Sequence, residues 1–402
     1  MSAIRLPGHA VEQKRRDVIS DRVKSIPPSG IRKFFDLLAE MDDVISLGVG
    51  EPDFTTPWHI RESAIYSIER GYTMYTSNYG LLELRQELAR HLERMYGVEY
   101  DPRKEMIITV GVSEALDIAL RAITNPGDEI IIPEPCFVAY SACAALAGGT
   151  VVPVPTFQAN DFRVTAVEIE RRVTSKTKAI LLGYPNNPTG AVMARDELNA
   201  IADVARRHDL IVISDEIYDR LSYDGEHTCF ASLPKIWDRT ILLGGFSKAY
   251  AMTGWRIGYV AAPADIVEAM VKIHQYIIMS APTAAQKAAI EALKHGEDAV
   301  QEMVQDYNRR RRVIYKGMLE IGLSCFEPKG AFYIFPNIEM TGLNSEEFAE
   351  KLLVEEKVAV VPGTAFGASG EGYVRCCYAT SMKNINEALL RINRFVERYA
   401  KH

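Results

Sequence analysis

The chain has 402 residues, 48% of them apolar, and a formal net charge of -7, which is enough material for a large core built in more than one lobe. Acids and bases are interspersed, which argues against a nucleic-acid footprint or a polybasic membrane patch; the densest basic run, residues 309–312, sits in a long polar helical pattern and reads as a solvated helix face. Six cysteines with no C-x-x-C pair and no histidine at zinc-finger spacing argue against a disulfide framework or a metal site, and fit a reducing, cytoplasmic setting.

In chain order, the first residues, MSAIRLPGHAVEQKRRD, lack the apolar centre of a signal peptide, and no run approaches the ~20 apolar residues that span a bilayer. Turn chemistry follows at PPSG, residues 27–30, and residues 1–60 read as an arm that joins a smaller lobe. Over residues 61–296 short β-branched runs alternate with helical patterns, the signal for a parallel sheet with crossover helices. Runs at 106–110, 129–133, 151–154, 178–182, 210–214, 240–243 and 257–261 predict a mostly parallel seven-stranded sheet flanked by helices, an α/β fold forming a large domain. Leu84, Leu88, Leu92 and Met95 recur at helical spacing before Gly97, and Thr165 with Glu168 predicts a capping box. From Glu297 the pattern changes to a long helix, strands at 331–335, 358–361 and 373–378, and a last helix from Lys383, which predicts a small α+β domain over 297–402.

Ligands in open α/β sheets gather beyond the carboxyl ends of the strands. Four runs end there in polar residues: GVS at 111–113, YPNNPTG at 184–190, DEIY at 215–218, and GGFSKAYAMTGWRIG at 244–258. Each taken singly has an ordinary structural reading as a turn, a helix cap or a solvated lysine. Together they place a lysine, a carboxylate, an amide and a helix start at one sheet edge. A lysine in so apolar a stretch risks desolvation, which lowers its pKa and suits it to Schiff-base chemistry.

The set PNNPTG (185–190), DEIY (215–218) and SKAYAMTGWR (247–256) resembles the class I/II aminotransferases of pyridoxal-phosphate fold type I. LGVGEPDF at 47–54 and VR at 374–375 extend the resemblance over nearly the whole chain. KGAFYIF at 329–335 and VVPGTAFG at 360–367 are similar to the microbial aspartate and aromatic aminotransferases.

The resemblance implies that Lys248 forms a Schiff base with the cofactor aldehyde and then moves protons, and that Arg256 holds the cofactor phosphate with backbone N–H groups of Gly111, Val112 and Ser113 at a helix N-terminus. Asp215 is expected to pair with the pyridine nitrogen, Asn187 and Tyr218 to bond the ring hydroxyl oxygen, and Phe137 to stack on the ring. Tyr75 is expected to reach the phosphate of a neighbouring subunit, so a homodimer with shared sites is implied. Arg375 would hold the substrate α-carboxylate as a planar fork, with Gly50 and Asn187 beside it and Ile31 near the side chain.

The sequence departs from the family where a serine often binds phosphate: Gly245 stands there, and Ser247 is the replacement hydroxyl. Phe137 stands where aspartate-specific relatives often have Trp, and Ser113 where some acid-accepting relatives have Lys. No second cation is assignable to a substrate side-chain carboxylate, which favours aromatic or mixed specificity, and Phe332 and Tyr333 are candidates to line a side-chain pocket. Cys376 and Cys377 read as buried strand residues.

The implied activity is ping-pong transfer of an amino group from an L-amino acid to a 2-oxo acid such as 2-oxoglutarate. A carbon–sulfur β-lyase on the same fold is the alternative. A cofactor-sensing regulatory module is more distant, because the roughly 45 residues ahead of LGVGEP are too few for a typical added domain.

Overall fold

The computed structural model describes residues 17–27, 41 and 43–400; Ile31 and most of the PPSG turn lie outside them. All seven predicted runs join one sheet: β2 (Met106–Thr109), β3 (Glu129–Glu134), β4 (Thr150–Pro155), β5 (Thr177–Gly183), β6 (Ile211–Asp215), β7 (Thr240–Gly245) and β8 (Gly258–Ala261), in the order β2-β8-β7-β6-β5-β3-β4. Strands β3 to β7 pair in parallel, whereas β8 runs antiparallel to both β2 and β7.

The strands are apolar throughout because both faces are covered. Successive residues point to opposite faces. Ala179, Leu181 and Ile213 therefore pack with Ala115, Leu116 and Ile118 of the helix Gly111–Ile123, while Ile180, Leu182 and Val212 pack with Leu198, Ile201 and Ala202 of the helix Arg195–Arg207. In chain order the helices are α1 (Asp21–Lys24), α2 (Trp58–Glu69), α3 (Leu82–Tyr96), α4 (Gly111–Ile123), α5 (Ala139–Ala147), α6 (Ala166–Glu170) and α7 (Arg195–Arg207). They continue as α8 (Ala264–Ile277), α9 (Thr283–His295), α10 (Glu297–Ile321), α11 (Ser345–Glu356) and α12 (Met382–Tyr399). Among the described residues no helix is long and apolar enough to cross a membrane.

The predicted helix over Leu84–Leu92 is α3, closed by Gly97 in the left-handed conformation. The capping box at Thr165 is half formed. Its hydroxyl accepts from the Glu168 N–H at 3.2 Å, but the Glu168 carboxylate turns to Arg171 and Arg172 instead of back to the cap.

The later strands are shorter than their apolar runs. The 358–361 run changes partner at Val360: β10 (Val358–Ala359) pairs with β1 (Ile45–Ser46), whereas β11 (Val361–Pro362) pairs with β12 (Val374–Cys377). β12 also pairs with β9 (Tyr333–Ile334), and Cys376 and Cys377 are buried there. One apolar cluster unites β9, β10 and β12 with α10, α11 and α12, and Leu47 next to β1 belongs to it, whereas Val361 of β11 packs with the large-sheet residues Ile180 and Val212.

The sheet register brings the functional segments together. Gly183 at the end of β5 sits opposite Asp215 at the end of β6, Gly245 of β7 sits opposite Gly258 of β8, and Gly258 sits opposite Thr109, two residues before α4.

Candidate active site

A cavity of about 330 Å³ opens at this edge, lined by Gly50, Val112, Ser113, Phe137, Asn187, Asp215, Tyr218, Ser247, Lys248, Arg256 and Arg375, with Tyr140 and Tyr333 among further residues. Gly111 is placed beside it: a Cβ there would stand 2.5 Å from a guanidinium nitrogen of Arg256, and its φ of +72° is one that glycine adopts without strain. The missing side chain thus lets Arg256 lie against the first turn of α4. The N-cap residue Val110 offers no side chain to the first N–H groups of that helix, and the Glu114 carboxylate accepts from the Val110 N–H at 2.5 Å.

Asp215 ends β6 with its carboxyl in the cavity. Tyr140 of α5 donates its hydroxyl to Oδ2 at 2.8 Å, and the Ile217 N–H donates to Oδ1 at 3.2 Å. Burial nonetheless pushes the group up to about 6, against these donors. Gly183 makes the tyrosine's approach possible, since a Cβ on it would lie 2.2 Å from the Tyr140 hydroxyl oxygen. Tyr140 was invisible as a site residue in the sequence because it sits in an alanine-rich helix with no motif around it.

Lys248 donates from Nζ to the Gly50 carbonyl at 2.6 Å and lies over the rings of Phe332 and Tyr218. Burial lowers it to about 8, and nearby Arg375 and Arg256 act in the same direction. The neutral amine is the nucleophile, so the rate at which cofactor-free protein captures an added aldehyde should rise about tenfold per pH unit below pH 8 and level off above it. Stopped-flow absorbance with pyridoxal phosphate between pH 6 and 9.5 checks this; a rise that continues at the same slope to pH 9.5 would mean that the lysine is not perturbed.

Arg375 is 3% exposed. It donates to the Gly48 carbonyl at 2.6 Å and to Asn187 Oδ1 at 2.8 Å, its plane lies over the Tyr333 and Phe366 rings, and its Nε is buried with no partner. Tyr333 also bonds the Tyr218 hydroxyl at 2.6 Å, joining the two sides of the cavity. Tyr75 stands apart: it is 80% exposed and does not line the cavity.

The donor set has a definite chemistry. Among the described residues, Lys248, Arg256 and Arg375 have no carboxylate within ion-pairing distance, although all three line one small cavity. Arg256 beside helix N–H groups that the N-cap residue leaves free, and a buried carboxyl held by neutral donors, call for a ligand with an anionic group and one cationic ring. Pyridoxal phosphate, with a phosphate, a basic ring nitrogen and an aldehyde, fits those residues.

The model of the family described as aminotransferase class I and II matches residues 42–392. The chain is 49% identical over 379 residues to an aspartate aminotransferase of Pyrococcus abyssi, covering 94% of this chain and 97% of that protein. It is 46% identical over 382 residues to aromatic-amino-acid aminotransferase 2 of Thermococcus litoralis, covering 94% and 98%. The solved structure of an aromatic aminotransferase from Pyrococcus horikoshii superposes with a TM-score of 0.87 at 47% identity, covering 91% of this chain and 99% of that one. With the sheet, the pocket and these relatives in agreement, the chain belongs to the class I and II aminotransferases and is a pyridoxal-phosphate-dependent amino-acid aminotransferase of fold type I.

Proposed function

We propose that this enzyme transfers the amino group of L-amino acids, aromatic ones ahead of dicarboxylic ones, to a 2-oxo acid such as 2-oxoglutarate. The observation that carries the preference is the cation count. Among the described residues the cavity offers only Lys248, Arg256 and Arg375, each with a role in the common chemistry, and its walls include Phe137 and Tyr333. Among the described residues lining the cavity, no cation remains for a second substrate carboxylate. Relatives named for both aspartate and aromatic substrates bracket this reading, and they favour transfer over the β-lyase alternative.

In this reading Arg256, Ser247 and the N–H groups of Gly111, Val112 and Ser113 hold the phosphate, where the helix dipole favours an anion. Asp215, backed by Tyr140, faces the ring nitrogen; a cation there stabilises the carboxylate that burial alone disfavours. Asn187 and Tyr218 face the ring oxygen and Phe137 covers the ring. Bound pyridoxal phosphate supplies an aldehyde that condenses with amines and a protonated ring that draws electrons from the substrate α-carbon.

The residues of the chain do the rest. Arg375 takes the α-carboxylate in place of its Gly48 carbonyl contact, and Gly50 leaves room beside it. Lys248 Nζ, freed from the Gly50 carbonyl, removes the proton from the substrate α-carbon. Its depressed pKa keeps the amine able both to accept and to return that proton near neutral pH.

The homodimer and its location belong to the same proposal. Trp58, Ile65, Tyr66 and Ile68 of α2, then Tyr72, Met74 and Tyr75, are exposed apolar groups, and the Met74 carbonyl accepts from Thr283 beside the exposed Tyr276–Met279 segment. A band of this kind is suited to cover by a second copy, which would carry Tyr75 toward the other site. Six free cysteines support the cytoplasm. Residues 61–296 as a large domain, with 297–402 and the N-terminal arm as a small one, are proposed as the two bodies that close on substrate.

With 2-oxoglutarate as acceptor, kcat/KM for tyrosine and phenylalanine is expected to exceed that for aspartate by at least about tenfold. Steady-state rates with each donor check this. Equal or faster turnover of aspartate would overturn the preference and require a cation from outside the described residues.

A further inference from the structure

Ser214 and Asp215 are adjacent on β6 and face opposite sides of the sheet. Asp215 lines the reaction cavity, whereas Ser214, Glu216 and His227 line a second cavity of about 390 Å³ that the transfer reaction does not use. Glu216 is 4% exposed and held from three directions: Oε1 accepts from the Ser214 hydroxyl at 2.9 Å and from the Phe230 N–H at 2.8 Å, and Oε2 lies 2.7 Å from His227 Nε2. The His227 side chain is 10% exposed. A buried carboxylate–imidazole pair carries a desolvation cost, so it is weak evidence for stability alone. Here it ties the strand end, and the 227–230 loop, to the residue beside Asp215.

We propose that Glu216 and His227 are a positioning pair for Asp215: from the opposite face of the sheet they fix the strand end that carries it and set the charge it works against. The proposal rests on the role of Asp215 given above. Burial is the main force that disfavours the Asp215 carboxylate; the Tyr140 hydroxyl, the Ile217 N–H and the Lys248 charge oppose it, while Glu216 adds to it. His227 stands where it neutralises Glu216. Burial works against a charged His227, but Glu216, with Asp219 behind it, holds the imidazole above its ordinary value.

Asp219 is occupied by the Tyr96 hydroxyl at 2.5 Å, and the Tyr96 ring meets His227 edge-on. Cys229, Tyr100 and Tyr259, near Glu216, are pushed well above their ordinary values by burial and stay neutral. At the cavity wall Arg163 pairs with Asp161 and Lys329 with Asp224, and Glu226 is exposed. Of the charges acting on Asp215, Lys248 on the cavity side favours its carboxylate and Glu216 disfavours it, and His227 bears on Asp215 through Glu216.

The test uses two substitutions of near-equal volume. The affinity for pyridoxal phosphate is measured by equilibrium dialysis from pH 5 to 8.5, with no turnover required. His227→Gln leaves Glu216 without its counter-charge, so the acid-side midpoint of affinity is expected to move up by roughly half to one pH unit; Glu216→Gln removes the negative charge, so it is expected to move down. A merely structural pair would give losses of the same sign in both variants, or none, and either result in folded protein overturns the proposal. Should His227→Gln fail to fold, the direction of the Glu216→Gln shift decides. Asp215→Asn is the control: an acid limb that survives it would overturn the role of Asp215 itself, and the proposal with it, whereas loss of that limb leaves the two glutamine variants to decide the pair alone.

Discussion

Lys248→Ala is expected to lower kcat by on the order of 10⁴-fold while the protein still binds pyridoxal phosphate. The loss is large because one amine is asked to do two tasks, as nucleophile and as carrier of the α-proton, and among the described residues the other cations lining the cavity are guanidinium groups, which do not give up a proton. Binding survives because Arg256, the N-terminus of α4 and Asp215 are untouched. Folding also survives: the native state holds this lysine below its ordinary pKa because burial disfavours its charge, so removing it relieves that cost at pH 7, and the melting temperature of the cofactor-free protein should not fall. Steady-state rates and a thermal melt check both parts, and partial rescue by an added small primary amine is expected. Turnover within tenfold of the parent enzyme would remove Lys248 from the mechanism.

Arg375→Lys is the second large effect, a drop in kcat/KM on the order of 10²-fold for the amino donor and the oxo-acid acceptor alike. Both substrates carry the same carboxylate, and the planar guanidinium, held by Asn187 and seated over the Tyr333 and Phe366 rings, is pre-set for a two-point contact that an ammonium group does not reproduce. Cofactor affinity should be unchanged. A rise in KM for one substrate only, or a loss of cofactor binding, would contradict this placement.

The strands of the large sheet were legible because doubly covered strands are apolar without interruption, as in Ala179–Leu182 and Val212–Ile213. Their order was not, because no local pattern tells β8 that it must insert antiparallel between β2 and β7. The small strands were blurred for a related reason: a single apolar run, 358–361, serves two partners in turn. At the site, residues carried by motifs were readable at a distance in sequence, and the cavity collects Asn187, Asp215, Tyr218, Lys248, Arg256 and Arg375. Residues that act from behind were hidden. Tyr140 reaches Asp215 across 75 positions, and Glu216 looked like part of the DEIY turn until its bond to His227 placed it on the other face of the sheet. Tyr75 is exposed, and its expected target belongs to a second copy.

The central claim is that this cavity moves an amino group and stores it between two half-reactions. The most direct measurement loads the protein with pyridoxal phosphate, adds tyrosine, phenylalanine or aspartate without any oxo acid, and counts the products. A good donor is expected to yield up to one equivalent of oxo acid per site, no free ammonia, and glutamate on later addition of 2-oxoglutarate. Continuous release of pyruvate and ammonia from a sulfur amino acid, with no oxo acid formed from any of the three donors, would contradict it.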